Sequence, residues 1–150
     1  MTLQEAYNFF ESLKTKTTKK AEIKIYEKFL HILSELKIRE FSKDDIQSIE
    51  TELDSLKLES NLANNKKDWN KRLKEFNEYL KNKHSLISTG YYTGIGVSMG
   101  TAFGIVAGVI FGERFEKSLG LALGISIGML IGAIIGRSMD AKAKREGRMI

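Results

Sequence analysis

Apolar positions recur at spacings of three and four through the first eighty residues, and then the pattern changes character. Leu3, Ala6, Tyr7, Phe10 and Leu13 share one helical face, and the spacing predicts a helix over about 2–14. Thr2 and Glu5 stand at capping-box spacing before it. A second helix is expected over about 19–36, turning Ile25, Tyr26, Phe29, Leu30, Leu33 and Leu36 inward. Ser42 opens a third, with Asp45 in its first turn where a carboxylate favours the positive end of the helix dipole, and Ile46, Ile49, Leu53 and Leu56 form its stripe. The fourth starts near Asn65, with Asp68 at its start, and presents Trp69, Leu73, Phe76 and Leu80. No Pro or Gly interrupts this region, and four amphipathic helices with short connections predict a compact bundle. At this length its single core is marginal.

Beyond residue 90 the alternation gives way to unbroken apolar runs. Tyr91 to Gly112 and Ser118 to Gly136 contain no charged side chain, and each is close to the roughly 20 residues that cross a ~30 Å hydrocarbon core. Between them GERFEKS concentrates charge in a short polar turn, so the two helices are expected to run antiparallel. Glycine recurs with period four at Gly96, Gly100, Gly104, Gly108 and Gly112, and again at Gly120, Gly124, Gly128, Gly132 and Gly136. Four residues advance a helix by about 400°, so successive glycines trace a slowly winding groove that lets another helix come close. One such stripe can close the hairpin while the other meets a second copy, which predicts helix packing and homo-oligomerisation through these ten positions. Glycine costs about 1 kcal/mol per position against alanine in a helix in water. A bilayer, which enforces backbone hydrogen bonding, removes that objection. A flexible linker does not fit, because the residues between the glycines are Ile, Leu, Val, Met and Phe; a buried soluble hairpin is the remaining alternative.

The expected architecture is therefore all-α: a cytosolic helical bundle over 1–84, then an antiparallel two-helix transmembrane hairpin with a basic tail over 85–150. Flanking charge orients it. Lys81 and Lys83 precede the first span, and Arg137, Lys142, Lys144, Arg145 and Arg148 follow the second, whereas the turn sets Arg114 and Lys117 beside Glu113 and Glu116. By the positive-inside rule both termini are cytoplasmic, with Arg137, Lys142, Lys144 and Arg145 as topology anchors. Tyr91, Tyr92, Phe111 and Phe115 sit at the interfaces.

Composition sharpens the division. All 13 glycines lie between Gly90 and Gly147. Residues 1–89 carry 17 basic and 15 acidic side chains, a net of +2, and residues 90–150 carry 7 and 4, a net of +3. A charge this balanced argues against nucleic acid as the partner. The absence of cysteine excludes disulfides, thiolate metal sites and a lipobox. The N-terminus opens on an amphipathic pattern rather than a signal peptide, which fits a bacterial inner-membrane protein.

The run TLQEAYNFFESL, IYEKFLHIL, FSKDDIQSIETEL and WNKRLKEFNEYL resembles the SAM-like core-binding domain of tyrosine recombinases, in which four such helices clamp DNA. The catalytic arginines, histidine and tyrosine of that family have no counterpart, so the resemblance implies a binding fold without recombinase chemistry. Residues 90–150, including the ending SMDAKAKREGRMI, resemble glycine-zipper two-helix domains of small bacterial membrane proteins.

No catalytic, cofactor or metal constellation is evident. His31 falls mid-helix and His84 in the linker before the first span, and both read as solvated. Asp44 and Asp45 are adjacent in a helix and do not share a face. GIGVSMG imitates a nucleotide-binding loop but follows no strand. Trp69 reads as core rather than as a platform for bases. Ser98, Thr101 and Ser126 are the polar side chains well inside the spans. They either bond back to their own helices or bridge helices, or they line a narrow wet path in a ring of hairpins. Two functions are expected from this: a membrane-permeabilising or ion-conducting effector governed by its cytosolic domain, or a membrane-anchored adaptor holding a cytosolic protein or DNA partner. The zipper density favours the former slightly.

Overall fold

The computed structural model describes residues 1–58, 66–112 and 116–150. Among them every regular element is a helix, in the order α1 (Leu3–Lys16), α2 (Lys20–Ile38), α3 (Lys43–Ser55), α4 (Lys66–His84), α5 (Tyr91–Gly112) and α6 (Lys117–Arg145). The expected start of the fourth helix at Asn65, and Glu113, Arg114 and Phe115 of the polar turn, lie outside the described residues. The chain divides into two compact units, Met1–Leu86 with Ile150, and Ile87–Met149.

In the first unit, local chemistry sets the helix starts. Thr2 accepts the amide of Glu5 through Oγ1 while the Glu5 carboxylate accepts the amide of Thr2, so two otherwise orphaned donors are satisfied reciprocally. Those bonds to Thr2 hold the Glu5 carboxyl below the usual range. Ser42 caps α3 in the same way, accepting from Asp45 N at 3.1 Å. Helix α1 packs on α2, α2 on α4, and α3 on α4.

The interior is aromatic. Phe10 stacks on Phe29 with ring centroids 4.2 Å apart and planes 9° from parallel, and Trp69 meets Phe10 at 5.7 Å and Tyr26 at 5.5 Å, both edge to face. Such pairs add about 0.5–1.5 kcal/mol each beyond the area they bury. Trp69 is thus a core residue whose faces are covered. Helix α2 buries Ile25, Tyr26, Phe29, Leu33 and Leu36 of the expected stripe and Ile32 beside it, because α1 and α4 cover more of its circumference than one face; Leu30, expected inside, is only half-buried.

In the second unit, α5 and α6 run antiparallel in tight contact. Both are long and apolar enough to cross a membrane, with mean hydropathy of 1.9 and 2.2, and only 11% of each apolar stretch is buried. A helix in the core of a water-soluble protein would be mostly covered. Here Met99, Phe103, Val106, Ile110, Phe111, Leu130 and Ile134 are exposed, and large exposed apolar surface of this kind marks a site of contact with protein or membrane. Helix α6 also continues past its last glycine to Arg145, so the basic segment expected as a tail is helical. It stops at Gly147, whose φ of +69° suits a residue without Cβ. There Arg148 N bonds Ala143 O and Gly147 N bonds Lys144 O, a Schellman closure. Past it, Ile87 N donates to Arg148 O at 2.8 Å.

Candidate functional site

The contact between α5 and α6 is made of backbone. Gly96 faces Gly132, Gly100 faces Gly128, Gly104 faces Gly124 and Gly108 faces Gly120, while Gly112 lies against Lys117 and Gly120, and Gly136 against Tyr92 and Thr93. A methyl group placed on any of these ten, Gly112 excepted, would fall within 3.0 Å of the opposite main chain; at Gly112 the distance is 3.1 Å. Helix backbone cannot yield as a flexible side chain can, so these positions admit hydrogen only. By contrast Gly94, which breaks the period of four, has open space where a methyl group would stand, with nothing within 4 Å. Both stripes are thus turned toward each other inside one chain.

Ser98, Thr101 and Ser126, well inside the apolar stretches, each bond back along their own helix: Ser98 Oγ donates to Gly94 O at 2.9 Å, Thr101 Oγ1 to Val97 O at 2.7 Å and Ser126 Oγ to Ala122 O at 2.8 Å. Each donor is satisfied without a neighbour.

One polar group at this interface has no signal in the sequence pattern. Asp140, on α6, is buried, and its carboxylate receives Tyr92 N at 3.0 Å, Thr93 N at 3.1 Å and Thr93 Oγ1 at 2.6 Å. Tyr92 and Thr93 are the second and third residues of α5, whose first-turn amides have no intrahelical acceptor. Gly90 precedes the helix without a side chain to supply one. Asp140 therefore performs the capping role from the neighbouring helix, its negative charge against the positive end of the α5 dipole. Four residues below it Gly136 makes the closest backbone approach at this end, so clasp and zipper meet.

Arg137, Lys142, Lys144 and Arg145, the expected topology anchors, are all exposed on α6. Glu146, just past the helix, is bound by Arg148 through Nε at 2.8 Å and through Nη2, which holds its carboxyl below the usual range and raises the guanidinium further.

The two histidines differ. His31 is exposed, as expected. His84 is not in a linker: it forms the last turn of α4, and its side chain is only 7% exposed. It lies edge-on to Phe41 at 5.8 Å and near Tyr79 at 5.7 Å, with Nδ1 3.6 Å from Asp45 Oδ1 and no hydrogen-bond partner on Nε2. The expectation of a solvated His84 is therefore corrected; its basic sequence neighbours Lys81 and Lys83 concealed an inward-facing position one helical turn beyond Leu80. Among the described residues no group of three or more His, Asp or Glu could hold a metal ion.

No family model matches the chain, and neither the curated proteins nor the solved structures contain a match.

Proposed function

We propose that this chain is a two-pass membrane protein in which α5 and α6 form a closed transmembrane hairpin and α1–α4 form a SAM-like four-helix bundle that holds a cytosolic protein partner at the membrane. The observation that carries this reading is the inward orientation of both glycine stripes, with the large apolar side chains directed out. Such a pair has used its close-packing surfaces on itself and offers lipid what lipid accommodates best. The positive-inside rule, applied to Lys81 and Lys83 before the pair and Arg137 to Arg145 after it, puts both termini in the cytoplasm, as in a bacterial inner membrane. The near-balanced charge of residues 1–89 favours a protein over DNA as what the bundle holds.

A permeabilising effector assembled through the same glycines asks more of the chain. Self-association by those stripes competes with the hairpin for the same backbone surfaces, and Ser98, Thr101 and Ser126 would have to exchange carbonyl partners for a wet path. The anchor needs neither rearrangement.

Membrane potential in cells expressing the intact chain, beside a Gly104→Leu and Gly128→Leu variant, separates the two. The anchor reading expects both to insert and neither to depolarise. Depolarisation by the wild type that the variant abolishes would sink it and establish the effector. Since the chain contains no cysteine, single introduced cysteines near residues 20 and 144 report by labelling on which side each end lies.

A further inference from the structure

The C-terminal end of α6 carries a groove of about 450 Å³ lined by Ser138, Met139, Lys142, Arg145 and Glu146. We propose that this groove is a binding site for an anionic phospholipid, whose phosphate is held by Lys142, Arg145 and Ser138 and whose acyl chains lie along Met139, Ile135 and Ile131. The inference rests on the membrane reading of α5 and α6.

Three observations support it. The first is order along one helix face. Positions 131, 135, 138, 142 and 145 are separated by three or four residues, and 139 by four from 135 and three from 142, so all six fall on one side of α6. Ile131, Ile135 and Met139 on that face are 53%, 55% and 46% exposed. Read toward the C-terminus, the face passes from the bare aliphatic surface of Ile131 and Ile135 to Ser138 and Met139 side by side and then to two cations. From Ile131 to Lys142 this spans about 17 Å at 1.5 Å per residue. A phospholipid presents the same sequence of chemistries, from chains through esters to a charged phosphate. An acidic peptide would have no use for the apolar stretch.

The second is that the helix persists. Were the residues after Gly136 a coil, Lys142 and Arg145 would have no defined relation to Ser138; the continuation of α6 to Arg145 brings all three to one groove.

The third is the disposition of the carboxylates. Asp140 is buried under the amides of α5, and Glu146 is already bound by Arg148 at 2.8 Å and stands 4.0 Å from Lys142 Nζ. Among the described residues Arg137, Lys144 and Arg145 have no carboxylate partner. The segment's negative charges are thus occupied, while its cations face outward. Clusters of basic residues immediately cytoplasmic of a membrane helix attract anionic lipid, and here a formed groove adds a place for one headgroup.

The test uses the full chain and asks two questions in turn. Co-flotation with phosphatidylcholine vesicles checks membrane insertion. Native mass spectrometry of the detergent-solubilised protein, offered phosphatidylglycerol and phosphatidylcholine in equal amounts, then measures the retained lipid. Preferential retention of phosphatidylglycerol is expected, reduced about 25-fold in the Lys142→Gln and Arg145→Gln double variant, at about fivefold for each cation at an anionic surface. The Arg137→Gln and Lys144→Gln double variant makes the same charge change outside the groove and is expected to keep the preference. An equal loss in both double variants would reduce the effect to diffuse charge and overturn the site, as would complete displacement by inorganic phosphate. Flotation without phosphatidylglycerol preference removes the site alone; failure to float removes the membrane reading with it.

Discussion

Phe10 against Phe29 and Gly100 against Gly128 are both contacts between helices of one chain, yet they represent opposite ways of filling an interior. In the first unit the largest side chains lie inside and the charges outside. In the second the smallest residue lies inside, and Phe103, Ile110 and Leu130 lie outside. The backbone is the same α-helix in both; what differs is the solvent each is suited to. Water favours the removal of apolar area, so a helix in water gains most by burying large groups. Lipid gives no such drive, and contact must come from backbones approaching until dispersion is felt along their whole length, which Cβ atoms would prevent.

Exchanging residue sizes between the two interiors should therefore be ruinous in both directions, and this is the largest effect expected. Gly100→Leu drives a side chain into the main chain at Gly128, and its cost should exceed the ~1–3 kcal/mol of ordinary overpacking because backbone cannot repack. Phe29→Ala empties the aromatic core at a cost of about 3–5 kcal/mol. The control is Gly94→Leu, on the same helix but off the stripe, which should stay within about 0.5 kcal/mol of the wild type. Thermal denaturation in detergent followed by circular dichroism compares all three. If Gly94→Leu and Gly100→Leu behaved alike, the register of the glycine contact would be wrong and the contrast between the two interiors would collapse.

Why the glycine face could be read in advance, and the clasp at its end could not, is a matter of range. A period of four over five positions is a local signal, so each stripe is visible in its own apolar segment; that the two stripes face each other inside one chain is what the structure adds. The Thr2 and Ser42 caps are equally local, each satisfied within three residues. Asp140 acts across 47 and 48 residues, and by itself it looks like one carboxylate among five cations in a solvated tail. The extension of α6 was hidden because hydropathy falls at Arg137 while helix propensity does not; Met139, Ala141, Lys142, Ala143 and Lys144 are all strong helix formers, and Gly147 marks the stop. Ile32 escaped the stripe because a stripe assumes one covered face, and α2 is covered by α1 and by α4. His84 escaped because charged neighbours read as the end of a helix that runs on through them.

The clasp offers the next effect in size and sharpens the contrast at the one point where the glycine pair relies on a side chain. Asp140→Ala leaves the amides of Tyr92 and Thr93 without their acceptor, and a lost cap costs typically ~1 kcal/mol within a range of about 0.5–2. The loss should be local. Amide exchange at Tyr92 and Thr93 is expected to speed up while the zipper from Gly100 to Gly108 keeps its protection. Asp140→Asn, which retains an acceptor but not the charge, should fall between. Uniform loss of protection along α5 would mean instead that the carboxylate holds the whole pair together, and that backbone contact alone is not enough.

The smallest effect concerns the first unit alone. Tyr26 is 4% exposed between Phe10 and Trp69, and burial, with Glu22 adding to it, pushes its phenol above the ordinary value. An unfolded tyrosine ionises near pH ~10, whereas the folded one holds its proton to a higher pH. Between the two values the native state binds more protons than the unfolded state, so stability falls as pH rises. The contribution is complete below the unfolded value and is lost through the folded one, with a slope of at most ~1.4 kcal/mol per pH unit for one proton. Tyr26→Phe removes this titration while keeping the ring, and its alkaline slope should be shallower than that of the wild type. The sole tryptophan, Trp69, packs edge to face on Tyr26, so its emission during alkaline denaturation reports on the unit in question. Identical slopes in the two proteins would show that the phenol is hydrated in the folded state, and that the first unit's interior is less strictly a product of water exclusion than its contrast with the glycine pair requires.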